Sequence, residues 1–109
     1  MIIEFIGLSS LPAQERRFAD ALESLVGPIQ VQPGCLGCEV MKSWRTTTGL
    51  SMIARWETQR DLIQHLQSEI YKRLLLLMEL SSLPPVLEFF NVVEIGGLDL
   101  VEAARMQPE

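Results

Sequence analysis

Histidine occurs once in this chain of 109 residues, tyrosine once and cysteine twice. That scarcity narrows the chemistry. A zinc site begun by Cys35 and Cys38 needs two more sulfur or imidazole ligands, and only His65 is left to supply one. A thioredoxin-like dithiol opens a helix, whereas these cysteines open a strand pattern. The plain reading is two small apolar residues at a strand start, whose offset sends them to opposite faces of a regular strand. Basic clusters are missing too. The nine Lys and Arg residues are scattered, no run exceeds Arg16-Arg17, and the formal charge is −5. A nucleic-acid footprint needs a clustered basic face, and so does adhesion to an anionic membrane surface. Long hydrophobic runs are also lacking. The longest nearly apolar stretch, Leu74–Leu83, is interrupted by Glu79 and is too short to span a bilayer. The first residues, MIIEFIG, carry no basic segment and break their apolar run at Glu4. No secretory signal is read there, and a cytoplasmic location is expected.

What is present is apolar for so small a protein. Hydrophobic residues make up 48% and charged residues 21%. A chain of this length is expected to form one domain with a core of modest size. The apolar surplus predicts a second buried surface, and a subunit interface is its simplest form.

Met1–Gly7 reads as a strand. Ser9-Ser10-Leu11-Pro12 leads into a helix whose apolar stripe is Phe18, Ala21, Leu22, Leu25 and Val26, ended by Gly27-Pro28. Gln32-Pro33-Gly34 is a turn. Gly37–Trp44 alternates as a strand, Arg45–Gly49 is a hairpin connection, and Leu50–Glu57 is the next strand. Both faces of these strands carry bulky apolar residues, so neither face is expected to meet water. Thr58 and Asp61 form a capping box for one long helix, with Leu62, Leu66, Ile70, Leu74, Leu77 and Met78 on one side. Pro84-Pro85 ends it, and Val86–Ile95 is a further strand. Asp99 with Glu102 caps a short terminal helix, Leu100–Met106. The order β-α-β-β-α-β is that of the ferredoxin-like split βαβ arrangement.

With that order in place, the chain resembles the antibiotic biosynthesis monooxygenase (ABM) domain family of dimeric α/β-barrel proteins. The similar segments are PGCLGCEV at Pro33–Val40, ARWE at Ala54–Glu57, DLIQHLQS at Asp61–Ser68 and VLEFFNVVE after Pro84-Pro85. The resemblance implies an α+β fold with an antiparallel four-stranded sheet. Two such sheets would pack face to face in a homodimer, a dimeric α/β barrel, with a pocket between the sheet and helices of each subunit. Residues 1–97 form the domain on this reading. Residues 98–109 are a C-terminal tail whose helix is a candidate dimer contact.

The family includes cofactor-independent monooxygenases of quinols and polyketide aromatics. In these a pocket favours the anion of an electron-rich dihydroxyaromatic, which itself reduces dioxygen. Neither metal nor flavin is implied, and molecular oxygen is the co-substrate. The haem-degrading branch fits poorly: IIEFIG on the first strand has no asparagine, and KRLLLLME after Tyr71 has no histidine.

His65 heads the candidate catalytic residues, because an imidazole accepts a proton near neutrality. The plain alternative is a helix histidine bonded to a neighbour. Tyr71 follows six residues later, about 120° around a continuous helix. Asn91 is a polar residue in an apolar strand, able to donate to a substrate oxygen or to satisfy a neighbouring strand. Trp56, Arg55, Leu62 and Leu66 are the candidate substrate-binding residues. Trp56 reads equally as core, as does Trp44. Arg55, with Glu4, Glu39 and Glu88, is a charge inside a strand pattern, and an Arg55–carboxylate network at the barrel seam is the alternative. The leading expectation is a cofactor-independent monooxygenase of a small quinol-like or polyketide aromatic. Its rival is a non-catalytic homodimer that binds a small hydrophobic molecule or has a structural role. Neither nucleic acid nor membrane is expected as a partner.

Overall fold

Alternation along the first strand sets the architecture. In the computed structural model, which describes residues 1–43 and 49–107, β1 (Ile2–Ser9) buries Ile2, Glu4, Ile6 and Leu8 and leaves Ile3, Phe5, Gly7 and Ser9 half-buried. A two-residue period of this kind marks a strand with one face against a core. Trp44 and the connection through Thr48 lie outside the described residues.

The remaining elements follow in order: a 3₁₀ turn (Pro12–Gln14), α1 (Glu15–Glu23), α2 (Val26–Gln30), β2 (Cys35–Lys42), β3 (Gly49–Trp56), α3 (Gln59–Leu66), α4 (Glu69–Glu79), β4 (Val86–Asn91) and α5 (Leu98–Met106). The strands form one antiparallel sheet in the order β2-β3-β1-β4. This is the α+β, ferredoxin-like topology expected from the sequence. No described helix is long and apolar enough to cross a membrane.

The core lies between one face of the sheet and the helices. Ile6, Met52, Ala54 and Trp56 from the sheet meet Leu22, Ile29, Leu62 and Leu74 from the helices. The opposite face carries Ile3, Phe5, Ile53, Phe90 and Val86, and among the described residues no layer covers it. The helices also stop short of β4. Phe89 stands directly opposite Glu4 and Leu87 opposite Ile6, on the helix side, yet both are exposed.

Several local readings change. Gly27-Pro28 does not end a helix; it lies in the first turn of α2, where the missing proline N–H has no intrahelical partner to lose. The long second helix is two helices. The chain breaks at Gln67-Ser68, where Ser68 Oγ accepts from the Tyr71 backbone N–H at 3.3 Å and donates to the His65 carbonyl at 2.7 Å. At the start of α3, Thr58 Oγ1 accepts from the Asp61 N–H at 3.2 Å, as the capping pattern predicted. At α5, Asp99 Oδ1 accepts from the Gly97 N–H at 2.9 Å, and Gly97 itself is the cap.

Finally, β2 carries a bulge. Cys35 pairs with Trp56 and Gly37 with Arg55, so Leu36 is the extra residue. Cys35 and Cys38 therefore both fall on the helix side, opposite Trp56 and Ala54, and not on opposite faces.

Candidate functional site

Glu4 stands at the centre of β1 on the helix-facing side, and its side chain is 0% exposed. A carboxylate withdrawn from water needs partners, because the penalty is several kcal/mol even after relaxation. Trp56, the last residue of β3, donates its indole N–H to Glu4 Oε1 at 3.1 Å. His65, in the last turn of α3, brings Nε2 to 3.1 Å from the same oxygen. Its other nitrogen, Nδ1, lies 2.7 Å from Oε1 of Gln32, in the turn before β2.

The contact between Nε2 and Glu4 is close but off-axis. By distance it is an ion pair; by direction it is not a hydrogen bond, and Nε2 and Glu4 Oε2 are both buried polar atoms without a hydrogen-bond partner. Most buried polar atoms in proteins are satisfied, so two orphans on one acid–base pair mark a place for a further polar group.

Aromatic rings enclose the imidazole. It stacks on the Trp56 indole with ring centroids 4.4 Å apart and planes at 27°. Tyr71 meets it edge-on at 5.2 Å and 84°. Tyr71 reaches this position because of the break at Ser68; on a continuous helix it would point about 120° away. Burial, aided by the charge of Glu4, pushes the Tyr71 hydroxyl up to about 12, so it stays protonated near neutrality.

Local structure explains how Gln32 arrives. Its N–H donates to the Ile29 carbonyl at 3.0 Å and its carbonyl accepts from the Cys35 N–H at 3.1 Å, which pins the turn. Gly34 completes it with φ of 78°, where a Cβ would collide with the Asp61 side chain. The same glycine accepts from the Glu57 N–H at 2.8 Å, so this turn, the end of β3 and the start of α3 are tied together.

The other expected residues disperse. Leu62 is buried one turn before His65, and Leu66 is half-buried against the core. Arg55 is exposed on the open sheet face, with its guanidinium lying across Gly37. Among the described residues no carboxylate forms an ion pair with it, and Glu4 pairs with His65 instead. Asn91 is exposed and lines a groove of about 200 Å³ with Ile2, Gln59, Leu62, Phe89 and Phe90. His65 does not line that groove. Leu62 and Phe89 adjoin both places: one lies a helical turn from His65, the other opposite Glu4.

Glu4 and Gln32 are not among the site residues expected from the sequence. Glu4 carries a signal, a lone charge in an apolar strand, but Arg55, the counter-ion the pattern suggests, lies on the other face of the sheet. Gln32 left none beyond its place in a turn. Among the described residues no group of three or more His, Cys, Asp or Glu side chains is arranged to hold a metal ion.

A family model described as antibiotic biosynthesis monooxygenase matches residues 1–75. Solved structures share the fold. A candidate antibiotic biosynthesis monooxygenase from Deinococcus radiodurans is 15% identical, covering 89% of this chain and 97% of its own, with a TM-score of 0.80. A conserved protein from Methanosarcina mazei is 21% identical, covering 83% and 91%, with a TM-score of 0.73. Another antibiotic biosynthesis monooxygenase structure is 15% identical over 86% of this chain and 100% of its own, with a TM-score of 0.76. No curated protein matches.

Proposed function

Because the chain belongs to the antibiotic biosynthesis monooxygenase family, we propose that it oxidises a small, electron-rich hydroxyaromatic, quinol-like or polyketide-derived, using dioxygen and no bound cofactor. The observation that carries this reading is the orphaned pair of buried atoms, His65 Nε2 and Glu4 Oε2. A substrate hydroxyl placed between them would satisfy both. It would also surrender its proton there, to a site stacked on an indole and shielded from water.

The balance is simple. The hydroxyl proton passes to the Glu4–His65 pair, and the resulting anion gives electrons to dioxygen. One oxygen atom bonds to a ring carbon, which loses its hydrogen. The other oxygen leaves as water, taking back the proton held by the pair. A quinol and dioxygen thus yield a hydroxyquinone and water. Entry is along β4, through the groove that holds Asn91, with Leu62 and Phe89 moving aside. Tyr71 supplies a hydroxyl that stays protonated, so its role is that of a donor. A homodimer, closed through the apolar sheet face and contacted by the tail from Leu98 onward, completes the assembly.

One observation favours a second reading, a non-catalytic dimer that binds a small hydrophobic molecule. His65 is 1% exposed and does not line the Asn91 groove or the grooves formed by Leu50 and Val86, by Leu25 and Leu76, and by Phe18 and Leu80. Oxygen uptake separates the two. With a panel of hydroquinones, the parent protein is expected to consume oxygen and His65→Ala to lose about 100-fold or more in rate. Quenching of tryptophan fluorescence by the same compounds, without oxygen uptake, would leave the binding reading in its place.

A further inference from the structure

The 2.7 Å contact between His65 Nδ1 and Gln32 Oε1 determines more than the ring's orientation. A glutamine oxygen only accepts, so at this distance the proton belongs to Nδ1. The opposite edge of the ring then decides the charge of the site. With no proton shared there, a bare Nε2 would face a carboxylate at 3.1 Å, both 0% exposed at the side chain. Two acceptors at that separation repel, and an uncompensated charge would be buried. With two protons the site would carry a buried positive charge. A single proton makes the pair neutral.

We infer that Gln32 is a positioning residue: it holds a proton on Nδ1 of His65 and so leaves one further proton to reside on either Nε2 or Glu4, in a pair of zero net charge. This concerns the site of the proposed reaction, and its consequence for catalysis rests on that reading. The pair can accept the substrate's proton only if its own proton inventory is set beforehand, and a neutral glutamine sets it without adding charge.

The surroundings agree. The last turn of α3 ends beside His65 and favours positive charge on the ring. Glu39, Arg55, Arg60, Glu69, Lys72 and Arg73 on the neighbouring elements are exposed to solvent, and Asp61 accepts from the Thr58 hydroxyl at 2.8 Å; the titratable groups turned toward the core here are Tyr71 on α4 and Cys35 and Cys38 on β2. All three are neutral near pH 7: burial pushes Tyr71 and Cys38 up to about 12 and raises Cys35. None of them offers a charge to balance a second proton or a missing one, so the balance falls to Glu4.

Histidine occurs once, so its ring nitrogens can be read without assignment in uniformly ¹⁵N-labelled protein. Long-range proton–nitrogen spectra of the substrate-free parent are expected to show Nδ1 protonated throughout pH 6–8. A neutral ring with a bare Nδ1 and a protonated Nε2 would overturn the inference, because Gln32 would then be donating its amide. In Gln32→Leu the Nδ1 preference is expected to vanish, and an unchanged spectrum would overturn the inference equally. In Gln32→Glu, whose side chain can only accept at this distance, the Nδ1 proton is expected to persist. A bare Nδ1 in that variant would overturn the inference even if the leucine variant does not fold. None of these readouts needs a substrate. Correct nitrogen signatures without oxygen uptake would sink the oxidation reading and leave the proton assignment standing.

Discussion

Glu4 shows how one residue reports on its surroundings. A carboxylate in the middle of IIEFIG breaks the apolar pattern, and the fold tolerates it because Trp56 and His65 converge on it. The sequence made the anomaly visible but not its partner. Arg55 is the counter-ion that the strand patterns offer, yet alternation sends it to the opposite face, while Glu4 and Trp56 share the inner one. The other titratable residues in this core yield a pH prediction. Burial raises the Cys38 thiol from its ordinary 9.0 to about 12 and the Tyr71 hydroxyl from 10.0 to about 12. Both groups hold their protons more tightly folded than unfolded. Their contribution to stability is therefore complete below about pH 9 and lost as pH rises from there toward 12. Urea unfolding midpoints are expected to hold steady from pH 7 to 9 and to fall at pH 10 and 11. A midpoint that did not move by pH 11 would contradict the burial of these groups.

At the scale of elements, the break between α3 and α4 matters most. The apolar spacing of Leu62, Leu66, Ile70 and Leu74 suits one long helix, and periodicity alone cannot register an interruption that preserves the stripe. Ser68 was the available clue, since serine caps helices, but a serine within a helical pattern reads just as well as a solvated position. Its hydroxyl holds both helices, by way of the His65 carbonyl and the Tyr71 N–H. Ser68→Ala is expected to destabilise the protein by about 1 kcal/mol, and Ser68→Gly by only a few tenths, because glycine also suits a cap. Thermal unfolding would register the alanine change as a drop of about 4–8 °C. Equal effects from the two variants would argue against the cap. The bulge in β2 is a similar case: one extra residue, Leu36, moves Cys35 across the sheet, and nothing in PGCLGCEV marks it except the glycine that follows.

For the whole molecule, the open face of the sheet is the central fact. Ile3, Phe5, Ile53, Phe90 and Val86 stand on it without a covering layer among the described residues, and α5 is exposed along its entire length. The composition accords with such a surface, because charged residues make up only 21% of the chain and few are left to cover a second sheet face. Light scattering is expected to give twice the 12.3 kDa chain mass at micromolar concentration. Ile53→Glu, which places a charge at the middle of that face, is expected to give monomers. A monomeric parent would overturn the dimer.

Residue order alone carried the succession of the four strands, the cap at Thr58, the likeness to the family and an apolar surplus. These depend on local preference and on periodicity, which a chain carries in its own order of residues. Three-dimensional packing was needed to bring Glu4 and not Arg55 to His65, Tyr71 to the same ring, and Gln32 to its far side. Those facts depend on strand register, on one bulge and on one helix break. Each moves a side chain across a face or around a helix without altering the pattern from which the elements are read.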